Sequence, residues 1–340
     1  MERAIPIIAA VISFGVTALL GFVIIPFLRR LKFGQTILEE GPAWHKTKQG
    51  TPTMGGIMLA IGLFAALIVC LGISAIAKTS LIAEMRDNYR LTLMVSGVIM
   101  ALAMGTIGFL DDYIKVVKKR NLGLTARQKT FMQLLVSALY LATLGFAGMD
   151  TTYIPFIGDV DIMHGFGLIF WPVALMFIYG FTNAVNLTDG LDGLASSVTL
   201  VVACAMMLAS GHLYNSGMNV LAASLGGACV GFIVWNAKPA HVFMGDTGSM
   251  FIGGMVVALS FGIGRPILLI LAGCMYFIEA LSVMLQVAYY KATKKRLFKM
   301  APLHHHFEMC GFSEQKIVLL FSFITLLGCM LALLTVYFGW

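Results

Sequence analysis

The run Leu91-Thr92-Leu93-Met94-Val95-Ser96-Gly97-Val98-Ile99-Met100-Ala101-Leu102-Ala103-Met104-Gly105-Thr106-Ile107-Gly108-Phe109-Leu110 holds 20 residues without a charge and then meets two adjacent acids, Asp111-Asp112. As a helix rising about 1.5 Å per residue it is roughly 30 Å long, the thickness of a bilayer's hydrocarbon core. Nine further apolar windows, at 5–28, 55–77, 130–148, 167–184, 194–210, 220–235, 249–264, 267–290 and 317–337, repeat the pattern. The 340-residue chain is 59% hydrophobic and 11% charged, with a mean hydropathy of +0.90, whereas a soluble domain carries roughly 25% charged residues. A water-covered surface cannot be built from that supply, which excludes a soluble enzyme, a nucleic-acid binder and a disordered chain. The expected fold is an all-α polytopic integral membrane protein of about ten transmembrane helices, one transmembrane domain over residues 1–340.

Charge is distributed unevenly over the connections. With the windows alternating in direction, 18 of the 23 Lys and Arg fall at one end of the bundle and 5 at the other. Basic connections are retained in the cytoplasm, so the net charge of +7 speaks of topology and not of a polyanion partner. The basic end is expected to be cytoplasmic, with both termini outside. Met1-Glu2-Arg3 leads into an apolar run with no small-residue cleavage site after it, so the first span is expected to be retained. The six cysteines are scattered without a C-x-x-C pair and read as packing residues. No long internal repeat is visible, which weakens a transporter built from inverted repeats.

The chemically unusual segments all fall at the basic end, while outer connections such as 150–164 read as solvated links. Asp111 and Asp112 stand at the mouth of the third span, where adjacent carboxylates resist burial unless they share a cation. Hard oxygen ligands favour Mg2+ or Mn2+; capping the helix end in water is the plainer role. In Asn183-Ala184-Val185-Asn186-Leu187-Thr188-Asp189-Gly190-Leu191-Asp192-Gly193, Asn and Asp recur every three residues across a span end. Gly190 and Gly193 are expected to break that helix and open backbone N–H groups to an anion. Downstream of Asn236, Phe243-Met244-Gly245-Asp246-Thr247-Gly248-Ser249 sets Asp246 in a turn before a new span; Phe243 could stack on a flat base or anchor the loop in lipid.

Pro302-Leu303-His304-His305-His306-Phe307-Glu308 follows the cations Lys291, Lys294, Lys295, Arg296 and Lys299. Consecutive histidines rarely converge on one tetrahedral Zn2+, so hydrogen bonding to phosphate or sugar oxygens is their better role. A second basic loop runs from Lys115 to Lys129. Glu279 and Gln286 share a face of the ninth span, Glu279 as a proton carrier or packing partner and Gln286 nearer a ligand. Acids for a metal, bases for phosphates and lipid-facing walls call for a substrate that is anionic at one end and greasy at the other. Phosphoryl transfer involving a lipid phosphate meets both demands.

Together with Thr51-Pro52-Thr53-Met54-Gly55-Gly56, these motifs in this order resemble the bacterial phospho-N-acetylmuramoyl-pentapeptide transferases, within the wider polyprenyl-phosphate N-acetylhexosamine 1-phosphate transferases, over nearly the whole chain. The resemblance implies transfer of phospho-MurNAc-pentapeptide from UDP-MurNAc-pentapeptide to undecaprenyl phosphate, giving lipid I and UMP in peptidoglycan synthesis. It further implies Mg2+, a homodimer surrounded by membrane lipid in the bacterial inner membrane, a cytoplasmic active site and no nucleic-acid partner. By that resemblance Asp246 is the leading metal ligand, with Asp111 and Asp112 as further candidates, and Asp111, Asp112, Asp246 and His304 form the catalytic set. Asn183, Asn186, Asp189, Gly190, Leu191 and Asp192 would shape the nucleotide and diphosphate site. Asn236, Phe243 and Gln286 would belong to the nucleoside pocket, and Lys48, Lys115, Lys129, His305 and His306 would line the cleft. The rival readings are a sister transferase using UDP-N-acetylglucosamine, a multi-spanning transporter and a non-catalytic lipid-phosphate binder.

Overall fold

Inside a bilayer no water satisfies the backbone, so an apolar segment pairs its N–H and C=O groups within itself and becomes a helix. The computed structural model describes residues 1–31, 50–118 and 122–339. Their helices are α1 (Ile5–Arg30), α2 (Ile57–Ala77), α3 (Ser80–Glu84), α4 (Asn88–Val117), α5 (Ala126–Phe146), α6 (Phe170–Thr188), α7 (Leu194–His212), α8 (Ser216–Asn236), α9 (Gly245–Gly262), α10 (Leu268–Ala272), α11 (Cys274–Thr293), α12 (Leu303–Met309) and α13 (Glu314–Tyr337). One antiparallel hairpin, β1 (Thr151–Ile154) with β2 (Gly158–Asp161), replaces the plain link expected between α5 and α6.

Eight of the described helices are long and apolar enough to cross a membrane: α1, α2, α4, α5, α6, α7, α8 and α13, some with short flanking turns. The chain is an all-α polytopic membrane protein. The two remaining apolar windows fall on α9, which opens with Gly245-Asp246, and on the pair α10–α11, which is broken at Gly273. There a β-carbon would lie 2.8 Å from the Leu269 carbonyl.

At the centre stands α9, every residue of which from Thr247 to Gly262 is buried. It lies antiparallel to α4 along a seam of small residues, the arrangement by which helices approach closely when lipid offers no hydrophobic drive. A β-carbon at Gly108 would strike the Asp246 carbonyl, one at Gly105 would lie 3.0 Å from Phe251, one at Gly254 2.7 Å from Ala101, and one at Gly97 2.9 Å from Ala258. On the far side of the bundle α1 meets α8, where the Trp235 indole N–H donates to the Ala18 carbonyl at 2.8 Å.

The end of the molecule away from the acids is tied by short polar links. Buried Glu84 accepts from the backbone N–H groups of Ser216 and Gly217 at 2.8 Å each, supplying the donors at the start of α8 with an acceptor, and pairs with Arg90 at 2.7 Å. Arg265 stacks on Tyr153 of the hairpin, and Tyr153 donates its backbone N–H to Gly264. The start of the chain and the end of α13 lie at this end: Glu2 accepts from the Ser80 N–H, and Tyr337 packs on His212.

Gly254→Val should force α9 off α4 and destabilise the protein by about 1–3 kcal/mol, the usual cost of overpacking. Gly72→Val, where nothing lies within 4 Å, is the control. The midpoint of thermal unfolding in detergent should fall for the first and hold for the second.

Candidate active site

The third apolar run does not stop at its acids. α4 continues to Val117, which draws Asp111 and Asp112 inside the helix and leaves them 4% and 3% exposed. Across the seam, Gly245 takes φ +71° and starts α9 with Asp246 in its first turn. A side chain at Gly245 would collide with both Asp112 and Thr53, so only glycine lets this turn sit against the acid. Asp111, Asp112 and Asp246 thereby bring carboxylate oxygens within 4.8 Å of one another.

Two like charges about 4 Å apart repel by roughly 4 kcal/mol at an effective dielectric near 20. Lys115 and Lys129 oppose that repulsion. Lys115, one turn beyond the acids on α4, pairs with Asp111 and lies 3.3 Å from Asp246 and 3.8 Å from Asp112. Lys129 reaches Asp246 at 2.8 Å from the first turn of α5, whose start is fixed by a capping box between Thr125 and Gln128. Among the described residues, three carboxylates face two ammonium groups in this cluster.

Each acid is also aimed by the backbone or an amide. Asp112 accepts from the N–H and hydroxyl of Thr247 at 2.9 and 2.8 Å, and Asp111 accepts from the Leu124 N–H at 2.8 Å. Asn186 donates to Asp246 at 3.0 Å and to the Ser249 hydroxyl at 2.8 Å, while Ser249 donates to the Gly245 carbonyl.

The four polar residues spaced by three go four ways: Asn183 and Asn186 lie within α6, which ends at Thr188, and Asp189 and Asp192 lie beyond it. Asn183 exchanges hydrogen bonds with Gln133 of α5 at 3.1 and 3.3 Å. Asn186 joins the acids. Asp189 caps the helix end, where burial first, and then the charges of Asp246, Asp112 and Asp192, hold its carboxyl well above the usual carboxylate range. Asp192 accepts from the Ala240 N–H at 3.2 Å, and Gly193, at φ +78°, begins α7. Leu191 between them is buried, and Gly190 is exposed on one side and packed against His304 on the other.

The remaining expected site residues serve the surrounding loops in this structure. Asn236 bridges the Gly193 N–H and the Val242 carbonyl. Phe243 is half-buried and joined through its backbone to Pro52 and Gly55. Gln286 accepts from the N–H groups of Leu297 and Phe298. His305 pairs with Glu308 at 2.7 Å, and His306 accepts from the Lys299 N–H. His304 alone of the three is fully buried, paired with Glu279 at 2.7 Å. Lys48 lies outside the described residues. Sequence reasoning did not give Thr247 and Gln133 their parts; the signal for Thr247 was its place next to Asp246 in a glycine-flanked turn.

Thr247→Val keeps the shape but removes one donor from a buried carboxylate, which should cost about 2 kcal/mol. A lowered unfolding midpoint in detergent, restored by Thr247→Ser, is the expected result.

Residues 94–263, from within α4 to just past α9, match the profile of Glycosyl transferase family 4. Over 329 residues the chain is 43% identical to the phospho-N-acetylmuramoyl-pentapeptide-transferase of Clostridioides difficile, covering 96% of this chain and 97% of that protein. The protein of the same name from Caldicellulosiruptor bescii is 44% identical, with 96% of each chain covered. That from Bacillus licheniformis is 42% identical, with 99% of this chain and 98% of the relative covered. By these matches the chain belongs to the phospho-N-acetylmuramoyl-pentapeptide-transferase family.

Proposed function

We propose that the protein transfers phospho-MurNAc-pentapeptide from UDP-MurNAc-pentapeptide to undecaprenyl phosphate, releasing UMP and forming lipid I, as a homodimer in the bacterial inner membrane. The single observation that carries this reading is the convergence of Asp111, Asp112 and Asp246 with Lys115 and Lys129 at one end of a membrane bundle, in a chain about 43% identical end to end to transferases of that name. The excess of Lys and Arg at that end supports a cytoplasmic active site.

The donor set fits magnesium. Three carboxylates from two helices offer hard oxygen ligands, and among the described residues the cluster has fewer ammonium groups than acids. Asp246, with Asp111 and Asp112, would hold the ion, whose charge would neutralise and align the donor's diphosphate. Lys115 and Lys129, already among the acids, take phosphate oxygens as the diphosphate enters. Asn186 and Thr247 keep Asp246 and Asp112 from turning away. An oxygen of the lipid phosphate forms a new bond to the sugar-bearing phosphorus. The bond from that phosphorus to the bridging oxygen breaks, and its electron pair leaves with UMP. We favour this direct attack because a lipid phosphate is already nucleophilic and needs only orientation and charge neutralisation.

Purified protein given UDP-MurNAc-pentapeptide, undecaprenyl phosphate and Mg2+ should release UMP, and UDP-N-acetylglucosamine in its place should not. No UMP from either donor would refute the reading, and UMP from the second donor alone would favour the sister transferase. Asp246→Asn keeps size but removes charge and should lower turnover by about 100-fold or more, roughly 3 kcal/mol in the barrier. The same variant should lose the rise in unfolding midpoint that Mg2+ gives the wild type, since an ion stabilises only the state that binds it.

A further inference from the structure

Glu279, in the middle of α11, is 0% exposed, and among the described residues its carboxylate meets two groups of one residue. Oε1 accepts from the backbone N–H of His304 at 3.0 Å, and Oε2 lies 2.7 Å from His304 Nδ1. The other ring nitrogen, Nε2, is buried with no hydrogen-bond partner among the described residues, and the ring is 1% exposed. It lies against the α-carbon of Gly190, where any β-carbon would collide with it, on the turn that carries Asp189.

Hydrogen-bond accounting narrows the ring's state. A protonated ring, or a neutral ring with its hydrogen on Nε2, drives an N–H against the Gly190 C–H with no acceptor, and orphaned buried N–H groups are rare. A neutral ring with its hydrogen on Nδ1 donates to Glu279 and turns the Nε2 lone pair toward Gly190, where a weak Cα–H contact is tolerated.

We infer that Glu279 is a positioning residue for the transfer: it fixes the hydrogen of His304 on Nδ1, so that the bare Nε2 lets the Asp189-Gly190-Leu191 turn close against the ring. The inference rests on the proposed transferase reading for its kinetic consequence but not for its structural one. A turn displaced by an ångström beside a diphosphate site costs rate more than affinity, on the order of 100-fold.

Glu279→Gln tests this. Its single carbonyl oxygen can keep the His304 backbone N–H while its amide N–H faces Nδ1, which moves the ring hydrogen to Nε2. NMR of isotope-labelled histidine nitrogens, with His304 assigned by its loss in His304→Ala, should show the hydrogen on Nδ1 in the wild type and on Nε2 in the variant. kcat should fall about 100-fold with KM for the nucleotide donor held within about threefold. A wild-type hydrogen on Nε2, or full kcat in Glu279→Gln, overturns the inference. Should Glu279→Gln fail to fold, a double-mutant cycle decides: Gly190→Ala should be severe in the wild type and add little in His304→Ala, and additive losses overturn the inference. A wild type that releases no UMP refutes the transferase reading while leaving the NMR result to judge the ring.

Discussion

Three carboxylates forced together at the edge of a low-dielectric bundle are the constraint around which the molecule is organised. Their repulsion is bearable only because cations reach them from two directions, and because each acid is tied to a donor that resists its escape. Lys115 rides on the same helix as two of the acids, whereas Lys129 comes from α5 and Asn186 from α6. The site therefore depends on the mutual placement of α4, α5, α6 and α9. No one helix supplies it.

That placement comes from what the helices lack. Between α4 and α9 the absence of side chains at Gly97, Gly105, Gly108 and Gly254 brings backbone against backbone and the Asp246 carbonyl onto Gly108. Larger residues there would separate the acids before any charge was changed. Packing and electrostatics meet at Gly245, which opens α9 and leaves room for Asp112. The opposite end, laced by Glu84, Arg265 and the hairpin, holds the helices at their other tips.

Much of this was legible in the sequence because lipid imposes a simple grammar. Windows of about 20 apolar residues mark helices, and the alternation of their directions sorts Asp111, Asn186, Asp246 and His304 to one end. What stayed hidden was local. The charge at Asp111 looked like a boundary, yet the helix runs on to Val117, since Lys115 and Thr247 make the acids tolerable inside it. Gly190 and Gly193 marked the break after Thr188, but the partners were not readable: Asn183, within α6, meets Gln133, and Asp192, beyond it, meets Ala240. The break at Gly273 had no signal stronger than one glycine within an apolar run. Partners far apart in sequence, such as Glu279 and His304, are set by tertiary packing, which pattern alone does not encode.

The complete enclosure of α9 bears on biogenesis. A segment that begins with glycine and aspartate and shows lipid almost none of its surface has little to gain from entering the bilayer alone. Its insertion should depend on helices already delivered, above all α4, which is synthesised earlier and waits with a matching glycine track. The nascent chain would then assemble its central post by docking onto protein, with the translocation machinery holding that segment until its berth exists.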